Sequence, residues 1–493
     1  MFTTLLSRVL GVVKAMVTTH FFGAGAIADA INFAYNIPNS ARKLFAEGAF
    51  STSYIPSFSA FVSDDERTNR LTSVLLGFQL VLFIPIILLS FLFSKNVIEL
   101  FSAFENPEQI AVASSLLPLF TVFLCFISFG AVFSGILQAR SSFLMVGICP
   151  VFYSLSVILG IVFFAPGYGP LAFGLATIVG AFAQALSCAI IVKRLGLRVS
   201  FSLHFSDPDF LDVLRRMVPV TLTSLFAIFS QQITYSFASM LPEGSITAFA
   251  NSIILYQTPY GIFFTAIATV YYPVFNRAQD EKERSGELMK GLSDLFCFLL
   301  PSSIILIAMG RDIIAVLFQH GAFTADNTLM TYRVAEIYFA ILVPLGFYSL
   351  LQRYCYSINR YWYTTIVTLS VSALDLALTY FFIVRMESPV ALPIAFAVSQ
   401  VVGLVLLFIK VRNFDWLSFF KALMKLVVAN IPIAVAAFCY AGFVPDYSFA
   451  GTTLKSFLTA FASGVIFVVL LLVSYIVFRI PFMRAIRRKN ATK

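Results

Sequence analysis

Residues 1–60 read MFTTLLSRVLGVVKAMVTTHFFGAGAIADAINFAYNIPNSARKLFAEGAFSTSYIPSFSA. The stretch is mostly apolar and divides into two membrane-length segments, yet it carries Arg8, Lys14, Asp29, Arg42, Lys43 and Glu47. A charge at mid-bilayer depth costs roughly 2.5–3.5 kcal/mol even on the mildest insertion scales, so it is kept only where it faces water, a partner or a ligand. The front of the chain therefore reads as the wall of a polar cavity inside a membrane protein.

The rest of the chain fits that setting. Of 493 residues 59% are hydrophobic and 12% charged, with a mean hydropathy of +0.91; a soluble domain carries about 25% charged residues. Apolar runs broken by charges, Gly and Pro give fourteen candidate spans, near 1–22, 26–60 (broken by Pro38 and Pro56), 70–94, 114–138, 143–165, 169–192, 217–241, 245–275, 291–310, 328–355, 362–384, 389–410, 420–443 and 453–478. No polar stretch is long enough for a soluble domain, so the expectation is an all-α polytopic membrane protein. Met1 runs straight into a span holding Arg8 and Lys14 without a small-residue cleavage site, which argues against a removable signal peptide.

Basic residues set the orientation. One set of alternating loops and span ends, with the tail from Arg479 to Lys493, holds 24 of the 33 Lys and Arg; the opposite set holds Lys95, Arg311, Arg385 and Lys455 beside acids such as Glu99, Glu105, Glu243 and Glu387. By the positive-inside rule both termini are cytoplasmic. The net charge of +9 is thus mainly a topology signal, and the tail residues Arg484, Arg487, Arg488 and Lys489 suit anionic membrane lipid rather than nucleic acid. The six cysteines are scattered through the spans without a C-x-x-C pair and read as packing residues, and the three histidines are far apart, so no metal site is expected.

A weak internal repeat runs through the spans. Gly25 to Asp29, Asn36-Ile37-Pro38 and Tyr54-Ile55-Pro56 in the second span are matched in the eighth by Gly244-Ser-Ile-Thr, Gln257-Thr258-Pro259 and Tyr271-Tyr272-Pro273. The expected organisation is an N-lobe over 1–199 (spans 1–6), a C-lobe over 200–412 that includes the polar linker Ser200–Asp212 (spans 7–12), and a last helix pair with a basic tail over 413–493. Two-lobed repeats with broken helices around a central site are a transporter architecture.

Arg8 and Lys14 lie about 9 Å and roughly 120° apart on a helix, which suits two points on a wide cavity wall. Pro38 can bend the second span and open its polar side to the interior. Lys43 and Glu47, four residues apart, are expected to pair, leaving Arg42 as the free cation. A cavity of cations selects anions, and the arginine fork suits phosphate oxygens. The natural anionic ligand in a membrane is a phosphorylated lipid.

Ser7-Arg8-Val9-Leu10-Gly11, Phe22-Gly23-Ala24-Gly25, Ala28-Asp29-Ala30, Ile37-Pro38-Asn39 and Leu44-Phe45-Ala46-Glu47-Gly48-Ala49-Phe50, with Pro56 beyond, stand in one register. Together they resemble the N-terminal signature of the MurJ (MviN) lipid II flippases of the multidrug/oligosaccharidyl-lipid/polysaccharide exporter superfamily. Phe143 with Pro150, Tyr272-Pro273, Leu317-Phe318-Gln319 with Gly321, Phe323-Thr324 and Tyr356-Ser357 extend the resemblance over nearly the whole chain. It implies two six-helix lobes, spans 13 and 14 forming a groove for a prenyl tail, and movement of undecaprenyl-diphosphate-linked disaccharide-pentapeptide to the outer leaflet of the bacterial inner membrane by alternating access. The family's cavity arginines fall on Arg8, Lys14 (a conservative departure) and Arg42, and its acid in the second span on Asp29. It further implies membrane lipids and cell-wall synthesis proteins as neighbours.

The departures are equally specific. Ala15 stands where the family usually has Asp, and Ile254 and Gln257 stand where it usually has Arg and Glu. The C-lobe half of the charged cluster is therefore missing, and either the N-lobe cations carry the diphosphate with help from Gln257 and Asn251, or the substrate differs in detail. Family members also carry several more residues ahead of the Ser-Arg motif, so an earlier start is expected. Asp375, with Thr379 one turn on, is read either as a structural hydrogen-bonding or protonated, neutral acid or as a ligand that holds a coupling cation together with Gln232 or Ser399, because hard cations prefer oxygen ligands. No bound cofactor is expected, and the energy source is such a cation or the membrane potential.

The reading is a lipid-linked oligosaccharide flippase and not an enzyme. The alternatives are an exporter of another lipid-linked glycan or of an organic cation, which a cationic cavity disfavours, and a membrane-embedded enzyme acting on a prenyl-diphosphate sugar. That chemistry wants acidic metal ligands or a general base in a conspicuous external loop. Cysteines placed near Glu105 and Asp446 are expected to react with an impermeant thiol reagent from outside, and those near Arg284 and Asn490 to stay protected; the opposite pattern would invert the topology.

Overall fold

A computed structural model describes residues 2–47, 49–443 and 454–480, and all regular secondary structure in them is helical. In chain order the helices are α1 (Phe2–Phe22), α2 (Ala26–Arg42), α3 (Ala49–Ala60), α4 (Asp65–Phe101), α5 (Pro107–Ala139), α6 (Phe143–Tyr168), α7 (Pro170–Arg194), α8 (Pro208–Ala238), α9 (Ser245–Arg277), α10 (Glu281–Phe318), α11 (Ala325–Ala340), α12 (Leu342–Ser357), α13 (Tyr361–Met386), α14 (Ala391–Phe408), α15 (Trp416–Phe443) and α16 (Leu454–Val477). Ten of them are individually long and apolar enough to cross a membrane, and α11 and α12, bent by 47° at their junction, are long and apolar enough only when taken together. Taking α2 with α3 as one broken span as well, every expected span has a helical counterpart. Asp446 and the tail residues Arg484, Arg487, Arg488, Lys489 and Asn490 lie outside the described residues.

Local sequence explains where the helices start. Asp64 accepts from the Arg67 backbone N–H at 2.9 Å and Asp280 from that of Glu283 at 2.6 Å, while Thr324 and Asn327 form a reciprocal capping box. Asn106-Pro107 and Asp207-Pro208 each place a side-chain cap before a proline in the first turn, where the missing N–H costs nothing. The second span breaks later than expected. Its helix continues through Pro38 to Arg42, and a π-helical turn at Lys43–Glu47 separates it from α3. Proline removes one bond and crowds the carbonyl four residues back, which strains a helix without having to end it.

The described residues form two compact units, Met1–Thr247 with Gly321–Phe323, and Ala248–His320 with Thr324–Lys493. The first therefore extends past the lobe boundary expected at 199 and takes in α8. The linker is the physical reason. Its backbone docks on α4 through Ser202 N–H to Ser73 O at 2.9 Å, and the segment just before it through Arg198 N–H to Asn69 Oδ1 at 2.8 Å. Arg67 then grips Asp209 with two bonds of 2.6 and 2.7 Å, and Arg70 meets Asp207 at 2.8 Å. The Arg67 guanidinium holds the Asp209 carboxyl below its usual range. Beneath these pairs, Leu71, Val74 and Leu75 of α4 pack with Tyr54, Phe58, Val132, Phe133, Phe210 and Val213 in one core.

In the second unit, α10 packs against α15 and α16 through Met309, Ile433, Ala437, Tyr440 and Phe467. Tyr475 donates to the Cys297 carbonyl at 2.6 Å and Tyr440 to Asp312 at 2.7 Å, which satisfies polar groups that lipid cannot. Outward faces are correspondingly apolar, with Leu92 73% and Trp362 82% exposed. Four cysteines are buried in packing positions as expected, Cys125 is half-buried, and Cys439 faces outward.

Gly77 marks the closest approach of the linker, since a Cβ there would lie 2.0 Å from the Ser202 carbonyl oxygen. At an ordinary helical site Gly→Ala stabilises by up to about 1 kcal/mol. Here Gly77→Ala is expected to destabilise by about 1–3 kcal/mol through overpacking and to expose residues 195–205 to protease in the detergent-solubilised protein. An unchanged cleavage pattern with a raised thermal midpoint would show that the linker does not press on α4.

Candidate functional site

Five helices and the π-helical turn of the first unit enclose a cavity of about 440 Å³. Its polar lining comes from Ser7 and Lys14 on α1, Tyr35 and Arg42 on α2, Ser134 and Gln138 on α5, Tyr153 and Ser154 on α6, and Gln184 on α7. Tyr35 and Arg42 are seven residues apart, two helical turns, so α2 presents both on one face. Tyr35 and Tyr153 join their hydroxyls at 3.2 Å, and the Lys14 ammonium lies 5.6 Å and 5.3 Å from the two ring centroids. The Arg42 Nε donates to Asn39 Oδ1 at 3.1 Å. Two cations thus share one cavity whose described lining contains no carboxylate.

Of the other expected ligands on these helices, Arg8 lies on α1 next to Ser7, but its side chain and that of Glu47 are outside the described residues, and with them the expected Lys43–Glu47 pair. Lys43 is exposed and turns to α8, where its ammonium donates to Gln231 Oε1. Gln231 donates to Asn36 Oδ1 at 2.8 Å, and Asn36 donates to Gln232 Oε1 at 3.2 Å. Lys43 therefore ends an amide relay that fastens α2 to α8 and does not line the cavity. Arg42 is not the free cation expected, being tied to Asn39 on its own helix.

Asp29 sits at the other end of α2, about 20 Å of helix rise from Arg42. It is 2% exposed and accepts from Gly244 N–H at 2.7 Å, Thr247 N–H at 2.8 Å and Thr247 Oγ1 at 2.7 Å. The carboxylate thereby caps the first turn of α9, where unpaired N–H groups and the positive end of the helix dipole favour an anion. Nearby, the 321–323 loop closes on the α1–α2 turn through Ala322 N–H to His20 O at 2.8 Å. A Cβ on Gly23 would lie 2.6 Å from the Ala322 carbonyl oxygen, so the contact needs that glycine, whose φ is +66°.

The remaining expected residues belong to the second unit, except Gln232. Asn251 is buried with its Nδ2 unpaired, Gln257 is exposed on α9, and Ile254 is half-buried. Asp375 is half-buried with Oδ1 lacking a hydrogen-bond partner, Thr379 is buried one turn on, and Ser399 donates to the Ala395 carbonyl at 2.7 Å. Gln232 is bound to Asn36 in the first unit. Among the described residues no group of three His, Cys, Asp or Glu side chains is placed to hold a metal ion.

Sequence reasoning missed Tyr35, Tyr153, Gln138 and Gln184. Tyr35 was within reach, because its two-turn spacing to Arg42 puts it on the same face. The other three stand on α5, α6 and α7, about a hundred residues or more away, and no local pattern marks them.

Comparison with known proteins gives a consistent result. A family model described as lipid II flippase MurJ matches residues 18–461. The chain is 25% identical over 497 residues to a probable lipid II flippase MurJ of Borreliella burgdorferi, covering 99% of this chain and 97% of the relative. It is 32% identical over 374 residues to the probable lipid II flippase MurJ of Vibrio cholerae, 70% of each chain. Among solved structures, a lipid II flippase MurJ in an inward closed conformation superposes with a TM-score of 0.79 at 24% identity, covering 98% of both chains. An inward-facing multidrug resistance transporter of the MATE family superposes at 0.66 and 14% identity, over 86% of this chain and 96% of that one. At these identities the structural matches establish the fold.

The Asp29 geometry separates a structural clamp from a ligand contact. Asp29→Ala strips an acceptor from buried N–H groups and is expected to cost about 1–3 kcal/mol, read as a lower thermal midpoint of the purified protein, with Asp29→Asn keeping part of it. Unchanged stability together with lost transport would assign Asp29 to the substrate instead.

Proposed function

The chain belongs to the MurJ family of lipid II flippases, and from that membership we propose that it carries lipid II, the undecaprenyl-diphosphate-linked peptidoglycan precursor, from the inner to the outer leaflet of the bacterial inner membrane. The observation that carries the reading is the cavity that Lys14 and Arg42 line together. At low effective dielectric such a pair repels itself and attracts a polyanion, and a diphosphate is the polyanion of this substrate. Arg42 supplies a planar fork and Lys14 a compact charge, so they address phosphate oxygens differently. Gln138, Gln184, Ser134 and Ser154 line the same space with amides and hydroxyls suited to sugar and peptide groups.

The cycle is alternating access with both termini cytoplasmic. The Asp29 clamp and the Ala322 contact lie at the end of α2 away from the basic loops, which the positive-inside rule puts outside. The inside-negative potential assists an anionic headgroup moving outward, by about 2.3 kcal/mol per net charge per 100 mV if it crosses the full field. Asp375 and Thr379, with Ser399, are the oxygen ligands assigned to a coupling cation; Gln232 is bonded to Asn36 in the first unit. Export of organic cations is disfavoured because the cavity has the wrong sign. The chain acts as a transporter, with lipid II and the surrounding lipids as its partners.

The test is depletion in the native cell followed by leaflet assignment of lipid II. Arg8→Ala and Arg42→Ala are expected to insert normally and leave lipid II on the cytoplasmic side, with Arg42→Lys restoring only part of the flux. Full complementation by both alanine variants would remove the cationic site. Accumulation of a different lipid-linked glycan would favour a related exporter. In a reconstituted assay, Asp375→Asn with unchanged responses to sodium, protons and potential would make that acid structural.

A further inference from the structure

The second unit is short of charge where its helices are most apolar. From Ser245 to Asn276, α9 has no charged side chain, α14 has none at all, and α12 has Arg353 alone. Arg353 is half-buried, and its guanidinium carbon lies 5.6 Å from the ring centroid of Phe264 and 5.6 Å from that of Tyr272, both on α9. No hydrogen bond or ion pair links it to any other described residue. Arg284, in the same unit, is by contrast spent on the Phe275 and Ala278 carbonyls at 2.9 and 3.1 Å.

The surroundings of Arg353 are fixed. Tyr260 and Ser349 bond at 2.7 Å one turn away and tie α9 to α12, and Gln352 donates to Thr368 at 3.0 Å and ties α12 to α13. Aromatic faces attract the cation, yet they accept none of its five N–H donors in a conventional hydrogen bond. The half-buried guanidinium keeps its N–H donors open to an incoming oxygen anion. The bland alternative is an arginine that snorkels to the phosphates of bulk lipid near the end of its span. A snorkelling side chain extends away from the protein, however, whereas this one is held against α9 by two rings.

We propose that Arg353 is the anion contact of the second unit, a guanidinium held between Phe264 and Tyr272 that takes a pair of phosphoryl oxygens of the transported lipid. The assignment rests on the flippase reading and extends it to a residue outside the cationic cavity of the first unit. It gives the second unit a bidentate phosphate ligand although Ile254 and Gln257 on α9 are uncharged.

The test uses the full-length purified chain in nanodiscs, with native mass spectrometry of bound lipid and two probes, lipid II and phosphatidylglycerol. Arg353→Ala is expected to weaken lipid II binding roughly tenfold, Arg353→Lys to recover part of it, and Arg360→Ala, in the adjacent loop, to change nothing. Tyr272→Leu keeps the guanidinium but loosens its seat, and should weaken lipid II severalfold even if Arg353→Ala does not fold. Phosphatidylglycerol binding should be the same in all of them. Undiminished lipid II affinity in Arg353→Ala, or equal losses for both lipids, would overturn the proposal and leave Arg353 a bulk-lipid anchor. Failure of the unmodified protein to bind lipid II would overturn the flippase reading itself and this inference with it.

Discussion

A carboxylate buried where water cannot reach it must be met by donors, and Asp29 is met by three at the first turn of α9. That arrangement answers two difficulties at once. The helix N-terminus has N–H groups with no intrahelical partner, and the acid has a charge with no solvent. Because it pins the first turn of α2, the direction of the rest of that helix follows. Asn36 is bonded to Gln231 and Gln232 halfway along, and Tyr35 and Arg42 are left on the face that closes the cavity.

The cavity is then a problem in holding like charges together. Lys14 and Arg42 line one space, and near a protein surface a pair of like charges 4 Å apart repels by about 4 kcal/mol, falling off with distance. Acidic neighbours would relieve the repulsion but would also cancel the attraction for an anion. The rings of Tyr35 and Tyr153 give Lys14 a weaker, nonionic counterpart. Their shared hydroxyl bond fixes both rings at once.

Much of this was legible in the sequence, and the parts that were not have physical reasons. Hydropathy located the helices because each must bury its backbone within itself and show lipid an apolar face. Charges in the first sixty residues announced a polar interior because the bilayer tolerates them only against water, a partner or a ligand. What sequence could not give was which charge faces which neighbour. Asp29 and Lys43 looked like cavity ligands on composition, but one caps a helix 215 residues away and the other reaches Gln231 across 188 residues. Tyr153 and Gln184 are ordinary residues of apolar helices until folding brings them beside Lys14. The broken second span was anticipated at its prolines, whereas the break falls at Lys43–Glu47, where the backbone absorbs the strain a few residues further on.

The two units share a physical solution despite their different charge content. In the first a lysine is placed against two tyrosines from two helices, and in the second an arginine is placed against a phenylalanine and a tyrosine from one. A salt bridge at either place would satisfy the cation so well that a phosphate would have to break it before binding. A bare cation would be too costly to keep in an apolar helix packing. Flanking rings lie between those extremes, stabilising by about 0.5–2 kcal/mol while leaving the N–H donors for an incoming oxygen. For a carrier this intermediate strength matters in both directions, because a site that binds its anion too well cannot release it on the far side.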